Sequence, residues 1–110
     1  MDNKDSSMNE GAASAFQYLI AEGPIELSAV LNNLLEKAQQ DSSFAMADHY
    51  VLYQLGSQQS LIKVDLSQRP FQFWYYDLLG RPATAAVKKT IAQFLWDKCG
   101  EAELYLQESV

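Results

Sequence analysis

The chain has 110 residues, a formal net charge of −6, 48% hydrophobic residues, 20% charged residues and one cysteine. This is ordinary usage for one globular domain, and it excludes a collagen-like repeat, a coiled coil and wholesale disorder. No apolar run approaches the roughly 20 residues of a membrane-spanning helix, and one cysteine forms neither an internal disulfide nor a cysteine-based zinc site. The polar residues 1–11 are expected to be a disordered acidic tail rather than a signal peptide. We therefore expect a soluble, cytoplasmic protein with a single domain over residues 12–110.

The negative charge lies in the first half of the chain. Residues 1–55 hold eight acidic and two basic side chains, whereas residues 56–110 hold six of each. An acidic chain repels the backbone of nucleic acids and the surface of anionic membranes, so neither is an expected partner. Solubility alone also accounts for a charge of this size.

Two helices are predicted before residue 41. The first covers residues 12–22, where apolar residues recur at helical spacing. Gly23 and Pro24 separate it from the second, because glycine caps the end of a helix and proline suits the first turn of the next one. The second helix runs from Pro24 to about Gln40. Its apolar stripe consists of Leu27, Val30, Leu31, Leu34, Leu35 and Ala38.

From residue 49 the apolar period changes from that of a helix to that of a strand. The three predicted strands are His49–Leu55, Ser60–Leu66 and Phe71–Asp77. Loops of four residues join them, so we expect a three-stranded antiparallel meander. In its simplest register Leu55 faces Ser60 and Leu66 faces Phe71.

This register gives the predicted sheet two unlike faces. One face is nearly continuous hydrocarbon, with His49, Val51, Tyr53, Leu55, Ser60, Ile62, Val64, Leu66, Phe71, Phe73, Tyr75 and Asp77. The second face carries Tyr50, Leu52, Gln54, Leu61, Lys63, Asp65, Gln72, Trp74 and Tyr76. Large aromatic side chains among a few charges are typical of an interface core. Lys63 is predicted opposite Trp74, where it would make a cation–π contact.

The last predicted helix runs from Pro82 to about Cys99, with Gly100 as its cap. Residues 101–110 alternate weakly and would suit a short fourth strand. The order α-α-β-β-β-α predicts an α+β domain in which a three-stranded meander packs against helices. Either a helix of the same chain or a partner covers the aromatic second face. Cover by the chain's own helix is favoured, because large exposed apolar patches are uncommon in monomers.

No catalytic, cofactor or metal site is predicted. Cys99 is expected at the C-terminal end of a helix, whereas a reactive thiolate needs a cation or a helix N-terminus. Asp48 and His49 are too few ligands for a metal ion. Asp65 and Asp77 fall on opposite faces of the sheet and cannot share a proton there. The glycines are isolated and form no phosphate-binding loop.

These observations predict a small, non-catalytic protein–protein interaction module, such as an adaptor, a regulator or a chaperone-like protein. It would bind another protein or a second copy of itself. The expected partner-binding residues are Trp74, Tyr76, Tyr50, Leu61 and Lys63. The alternative is a ligand-binding protein or enzyme with a pocket between sheet and helices, whose polar groups would be Tyr53, Tyr75 and His49. A nucleic-acid-associated regulator is the third hypothesis, although the aromatic face lacks a basic groove.

Overall fold

Strands and helices alternate at both ends of the chain, and a run of antiparallel strands lies between them. The computed structural model describes residues 18–68, 71–100 and 106–109. Its elements in chain order are strand β1 (Tyr18–Glu22), helix α1 (Pro24–Gln40), short helix α2 (Ser42–Met46), strands β2 (His49–Leu55), β3 (Gln58–Asp65) and β4 (Gln72–Asp77), helix α3 (Ala85–Cys99) and strand β5 (Leu106–Ser109). The fold is α+β, so the predicted class is confirmed. The predicted tail at residues 1–11, and residues 12–17 of the predicted first helix, lie outside the described residues.

The five described strands form one mixed sheet in the order β1-β2-β3-β4-β5. β2, β3 and β4 are antiparallel neighbours, whereas β1 pairs with β2 in parallel and β5 pairs with β4 in parallel. Parallel neighbours need a crossover connection, which α1 and α2 supply at one end and α3 at the other. Both crossovers run in the same direction across the sheet, so right-handed connections place them on the same face. α1 and α3 accordingly pack against each other.

The core lies between this face of the sheet and the two long helices. The sheet contributes Ala21, Val51, Tyr53, Ile62, Val64, Phe73 and Tyr75, and the helices contribute Leu27, Leu31, Leu34, Leu35, Val87, Ile91, Phe94 and Leu95. The ring of Phe94 lies 6.0 Å from that of Phe71 and 6.2 Å from that of Phe73, measured between centroids. Each fully buried side chain of this size contributes about 1.5–3 kcal/mol of transfer free energy. The apolar stripe predicted for the helix Pro24–Gln40 therefore packs against the sheet through its four leucines.

The first predicted helix is wrong over residues 18–22, which form strand β1. Leu19, Ile20 and Ala21 are three consecutive apolar residues, and a short apolar run satisfies helical and extended patterns equally. Pairing with β2 decides between them: Leu19 pairs with Val51, and Ala21 pairs with Tyr53. Adding β1 and the short strand suggested for the C-terminal segment, β5, gives the described sheet five strands instead of three.

The predicted meander is confirmed, and the register of one of its two hairpins is confirmed with it. β3 and β4 pair as predicted, with Lys63 opposite Trp74. β2 and β3 pair two residues away from the prediction, because Leu55 pairs with Gln58 and leaves a two-residue loop. The loop begins with Gly56 at φ +62°, a left-handed conformation that a tight hairpin needs. A shift of two residues keeps each side chain on its predicted face.

The predicted bounds are right for the first long helix and wrong at the start of the second. α1 begins at Pro24 and ends at Gln40, as predicted. α3 begins at Ala85 rather than Pro82, because the hydroxyl of Thr84 accepts a 3.4 Å hydrogen bond from the backbone N–H of Val87 and caps the helix there.

The described helices leave the second face of the sheet uncovered. Their buried side chains all belong to the core cluster on the first face. None of the side chains on the second face is buried. The expectation that a helix of the same chain covers the aromatic face is therefore wrong for the helices that the structure describes.

Candidate functional site

The uncovered face of the sheet, called the open face below, is built from alternate residues of four strands. Its described side chains are those of Ile20, Glu22, Tyr50, Leu52, Gln54, Gln59, Leu61, Lys63, Asp65, Gln72, Trp74 and Tyr76. Successive strand residues point to opposite faces, so the residues between them enter the core. All five predicted partner-binding residues, Trp74, Tyr76, Tyr50, Leu61 and Lys63, lie on this one face.

An apolar row crosses the open face at right angles to the strands. Ile20 pairs with Leu52, Leu52 pairs with Leu61, and Leu61 pairs with Tyr76. Directly opposed residues have Cβ atoms about 4.5–5.5 Å apart, so neighbouring members of the row are in contact range. Ile20 is 51% exposed and Tyr76 is 36% exposed, whereas the two leucines between them are half-buried. The row is thus a continuous apolar strip across four strands.

A second row lies beside the first and carries aromatic rings around a lysine. Lys63 pairs with Tyr50 on one side and with Trp74 on the other. Its Nζ lies 4.9 Å from the centre of the Trp74 ring, so the predicted cation–π contact is confirmed. The aliphatic stem of a lysine in this position covers apolar surface while its ammonium group stays in water.

A hollow of about 330 Å³ lies on the open face where the apolar row meets the end of β4. Leu52, Leu61 and Tyr76 form part of its wall, and Leu78 of the following turn closes one side. Leu78 and its neighbour Leu79 are 81% and 72% exposed. The turn thus extends the apolar surface beyond the edge of the strands.

This turn is held by the carboxylate of Asp77. Its Oδ2 accepts hydrogen bonds from the backbone N–H of Leu79 at 2.9 Å and of Arg81 at 3.1 Å. The Arg81 guanidinium donates to both oxygens, at 3.0 Å and 3.3 Å. The Arg81 side-chain hydrogen bond is the main cause that lowers the pKa of Asp77 to about 2. The two exposed leucines therefore stand on a turn that an ion pair and backbone hydrogen bonds keep in one shape.

Sequence reasoning missed two contributors to this surface. Ile20 was assigned to a helix, so nothing placed it beside Leu52. Leu78 follows the last predicted strand, Phe71–Asp77, and the sequence predicts no role for it. Two consecutive leucines in a turn are unusual, because turns favour Gly, Pro, Asn, Asp and Ser. That composition was the available signal for Leu78.

The alternative pocket between sheet and helices does not bring its three predicted polar groups together. Tyr53 and Tyr75 are fully buried in the core. His49 lies four residues before Tyr53 on β2, about 13 Å away at the rise of a strand. Its Nε2 lies 2.8 Å from the carbonyl oxygen of Phe44, and its ring centroid lies 4.4 Å from that of Phe44. His49 therefore contacts Phe44 at the start of β2, away from the two tyrosine hydroxyls.

The two buried tyrosines differ in how their hydroxyl groups are satisfied. The Tyr75 hydroxyl accepts a 2.7 Å hydrogen bond from Gln58 Nε2 and shares a 2.6 Å hydrogen bond with Ser60 Oγ. The Tyr53 hydroxyl is buried and has no hydrogen-bond partner among the described residues. Burial raises the pKa of Tyr53, and the nearby Tyr75 adds to the rise. The Tyr53 hydroxyl thus stays protonated at neutral pH, and both tyrosine side chains lie in the core rather than in solvent.

The described residues bring together no group that could hold a metal ion. Asp65 lies on the open face and Asp77 on the other, as predicted, so the two carboxylates share no proton. Cys99 lies in the last turn of α3 and is partly buried. Among residues 18–68, 71–100 and 106–109, no group of three or more His, Cys, Asp or Glu could hold a metal ion. No helix within these ranges is long and apolar enough to cross a bilayer.

Comparison with known proteins identifies no relative. No protein family, curated protein or solved structure matches this chain. We therefore infer the function from the chemistry of the open face.

Proposed function

We propose that this protein is a non-catalytic protein–protein interaction module that binds its partner through the open face. Trp74, Tyr76, Tyr50, Leu61 and Lys63 form the centre of the contact. The observation that supports the proposal is the apolar row across four strands, which no described helix covers.

The composition of the face favours a protein as the partner. Its middle carries the apolar row and the aromatic rings on either side of Lys63, whereas Asp65 lies at the end of β3 and Glu22 lies on the edge strand. Tyrosine and tryptophan are enriched at interfaces, because they bury a large area at a small cost in side-chain entropy. The turn after β4 adds Leu78 beside the hollow on the open face, and the hydrogen bonds of Asp77 hold the backbone of that turn, so little backbone ordering is needed on binding.

The same composition argues against single-stranded nucleic acid as the partner. Binding of that kind joins stacking aromatics to a positively charged track for the phosphate backbone. The described open face has one cation, Lys63, against the anions Asp65 and Glu22. Trp74 and Tyr76 could stack on bases, but the phosphates would meet a net negative surface.

Site-specific photocrosslinking tests the proposal. A benzoylphenylalanine is placed at Tyr76 in one version of the chain and at Trp96 in another, and both are irradiated in cells that express the chain. Trp96 is the matched control because it is 55% exposed on α3, away from the sheet. We expect a discrete adduct from position 76 alone, and we expect Leu61→Ser to remove it without changing the circular dichroism spectrum. No adduct from position 76, or the same adducts from both positions, would contradict the proposal.

A further inference from the structure

We propose that the occupant of the open face is a second copy of this chain, which gives a two-fold dimer with the two sheets packed face to face. This inference rests on the proposed function, because it names the partner of the same face. The dimer would have four layers, with the helices outside and the sheets inside. Three observations point to a second copy: the size of the face, its charges and its position relative to the acidic helices.

The size of the face matches that of a stable dimer interface. Five strands of 5, 7, 8, 6 and 4 residues at about 4.8 Å spacing cover a projected area of about 480 Å². Protruding side chains make the accessible area larger than the projected area, and Leu78 and Leu79 extend it further. Specific interfaces bury about 800 Å² on each partner. Only a contact over the whole face approaches this size, which a second sheet can make, whereas a short peptide would leave much of the face exposed.

The charges on the face suit a copy of itself. Lys63 lies within the central strand and Asp65 is its last residue, so each copy offers both signs on the contact surface. A two-fold interface is isologous, and a surface that carries both signs can satisfy itself across the axis. A strongly basic partner, which the net charge of −6 attracts at long range, would meet the like charge of Lys63 on the central strand of the face.

The position of the face keeps the acidic surfaces of two copies apart. The segment between β1 and β2 carries Glu26, Glu36, Asp41 and Asp48 against Lys37 alone. Most of this charge lies on or near α1, on the opposite side of the sheet. Sheets pack about 10 Å apart, so face-to-face packing leaves the α1 helices roughly 30 Å apart if each helix layer adds a similar spacing. That distance is several Debye lengths at physiological salt.

Where two sheets pack face to face, apolar side chains from the two inner faces interdigitate. The apolar row of the open face is suited to this packing. Leu52 and Leu61 lie in its middle, and Ile20 and Tyr76 lie toward its two ends. A two-fold axis brings this row against the same row of the second copy. A charge introduced at Tyr76 would therefore be buried in the interface by both copies. The core of each copy would stay intact, because Tyr76 is not part of it.

Light scattering coupled to gel filtration, over a dilution series, tests the inference on the full chain. We expect the wild type to have twice the chain mass of 12.4 kDa. We expect Tyr76→Glu to raise the dissociation constant of the dimer at least a hundredfold, because symmetry buries the unpaired charge twice. Trp96→Glu, at a similarly exposed apolar position on α3, is expected to leave the dimer unchanged. Ile20→Lys provides a second disrupting variant at a half-exposed position, should Tyr76→Glu lose its native circular dichroism spectrum.

The outcomes separate the inference from the function on which it rests. A wild type that is monomeric at all concentrations overturns the dimer, and so does a dimer that Trp96→Glu breaks and Tyr76→Glu leaves intact. The mass of the adduct from position 76 then decides the proposed function. An adduct of twice the chain mass supports both statements. An adduct of another mass with a monomeric wild type overturns the second copy alone, and the absence of any adduct with a monomeric wild type overturns both.

Discussion

The ammonium group of Lys63 lies 4.9 Å from the centre of the Trp74 ring, and the two residues are direct partners in the β3–β4 ladder. The pairing fixes the distance between the backbones, so only the two side chains have to be ordered to make the contact. A cation over the ring face is attracted by the ring quadrupole, and the lysine stem covers part of the indole. The contact therefore orients the tryptophan on the open face before any partner binds.

A double-mutant cycle should detect this contact. Lys63→Met, Trp74→Leu and the double variant are unfolded in urea at one fixed protein concentration. We expect a coupling free energy of about 0.5–1 kcal/mol, the usual size of an exposed cation–π contact. The control cycle pairs Trp74→Leu with Lys89→Met, because Lys89 is exposed on α3. A Lys63 cycle as additive as the Lys89 cycle would show that the 4.9 Å geometry contributes no stability.

The two buried tyrosines should respond oppositely to removal of the hydroxyl group. Tyr53→Phe is expected to be neutral or to stabilise the fold by up to about 1 kcal/mol, because the lost hydroxyl is buried and has no described partner. Tyr75→Phe is expected to lower the free energy of unfolding by about 1–2 kcal/mol, because Ser60 and Gln58 lose a partner. Urea unfolding of both variants at pH 7 gives the comparison. Equal effects of the two substitutions would refute the difference in hydrogen bonding.

The Asp77–Arg81 pair should make stability fall in acid. The native pKa of Asp77 is lowered to about 2, chiefly by the Arg81 side-chain hydrogen bond, whereas an unfolded aspartate titrates near 3.9. The pair's contribution is therefore complete above about pH 4 and is lost as the pH falls toward 2. Asp77→Asn should lower the urea midpoint at pH 7 and flatten its dependence on pH between 4 and 2. Glu36→Gln, at an exposed position on α1, serves as the control. An unchanged slope in Asp77→Asn would assign the acid sensitivity to other carboxyl groups, including Asp65, whose pKa is also lowered.

The central part of the fold follows from the sequence because its signals are redundant. Each face of the meander is specified by three strands at once, so an error of two residues in the β2–β3 register left the faces intact. That is why Trp74, Tyr76, Tyr50, Leu61 and Lys63 were placed on one face from the sequence alone.

The ends of the sheet could not be predicted with the same success. β1 is a short edge strand, and what makes it a strand is its pairing with residues about 30 positions later in the chain. Local periodicity contains no information about such a pairing. The aromatic face is left uncovered for a related reason. β1 pairs in parallel with β2 and β5 pairs in parallel with β4, and these two pairings place both crossover helices on one side of the sheet. Without those two strands the sequence left the position of the helices undetermined.

The backbone conformation of Gly23 differs from the one expected at the end of a helix. It therefore distinguishes the observed end of strand β1 from the predicted end of a helix. A glycine that ends a helix is usually left-handed, whereas Gly23 lies at φ 99° and ψ 170° between β1 and α1. That region is open almost only to glycine, and other residues there cost about 1–3 kcal/mol. An added Cβ would lie 3.8 Å from Leu55 Cδ1, an ordinary contact, so the backbone is the source of the cost.

Gly23→Ala is therefore expected to lower the free energy of unfolding by about 1–3 kcal/mol. Gly56→Asn is the matched control, because Gly56 lies at φ 62° with nothing within 4 Å of a Cβ, a conformation that asparagine tolerates. We expect the control to cost clearly less in urea unfolding measured by circular dichroism. Because Gly23 directs the chain from the edge strand into α1, Gly23→Ala should also increase amide exchange in β1 more than in β3. Equal losses in the free energy of unfolding for the two variants, together with equal amide exchange in β1 and β3, would mean that residue 23 does not stabilise the connection between β1 and α1.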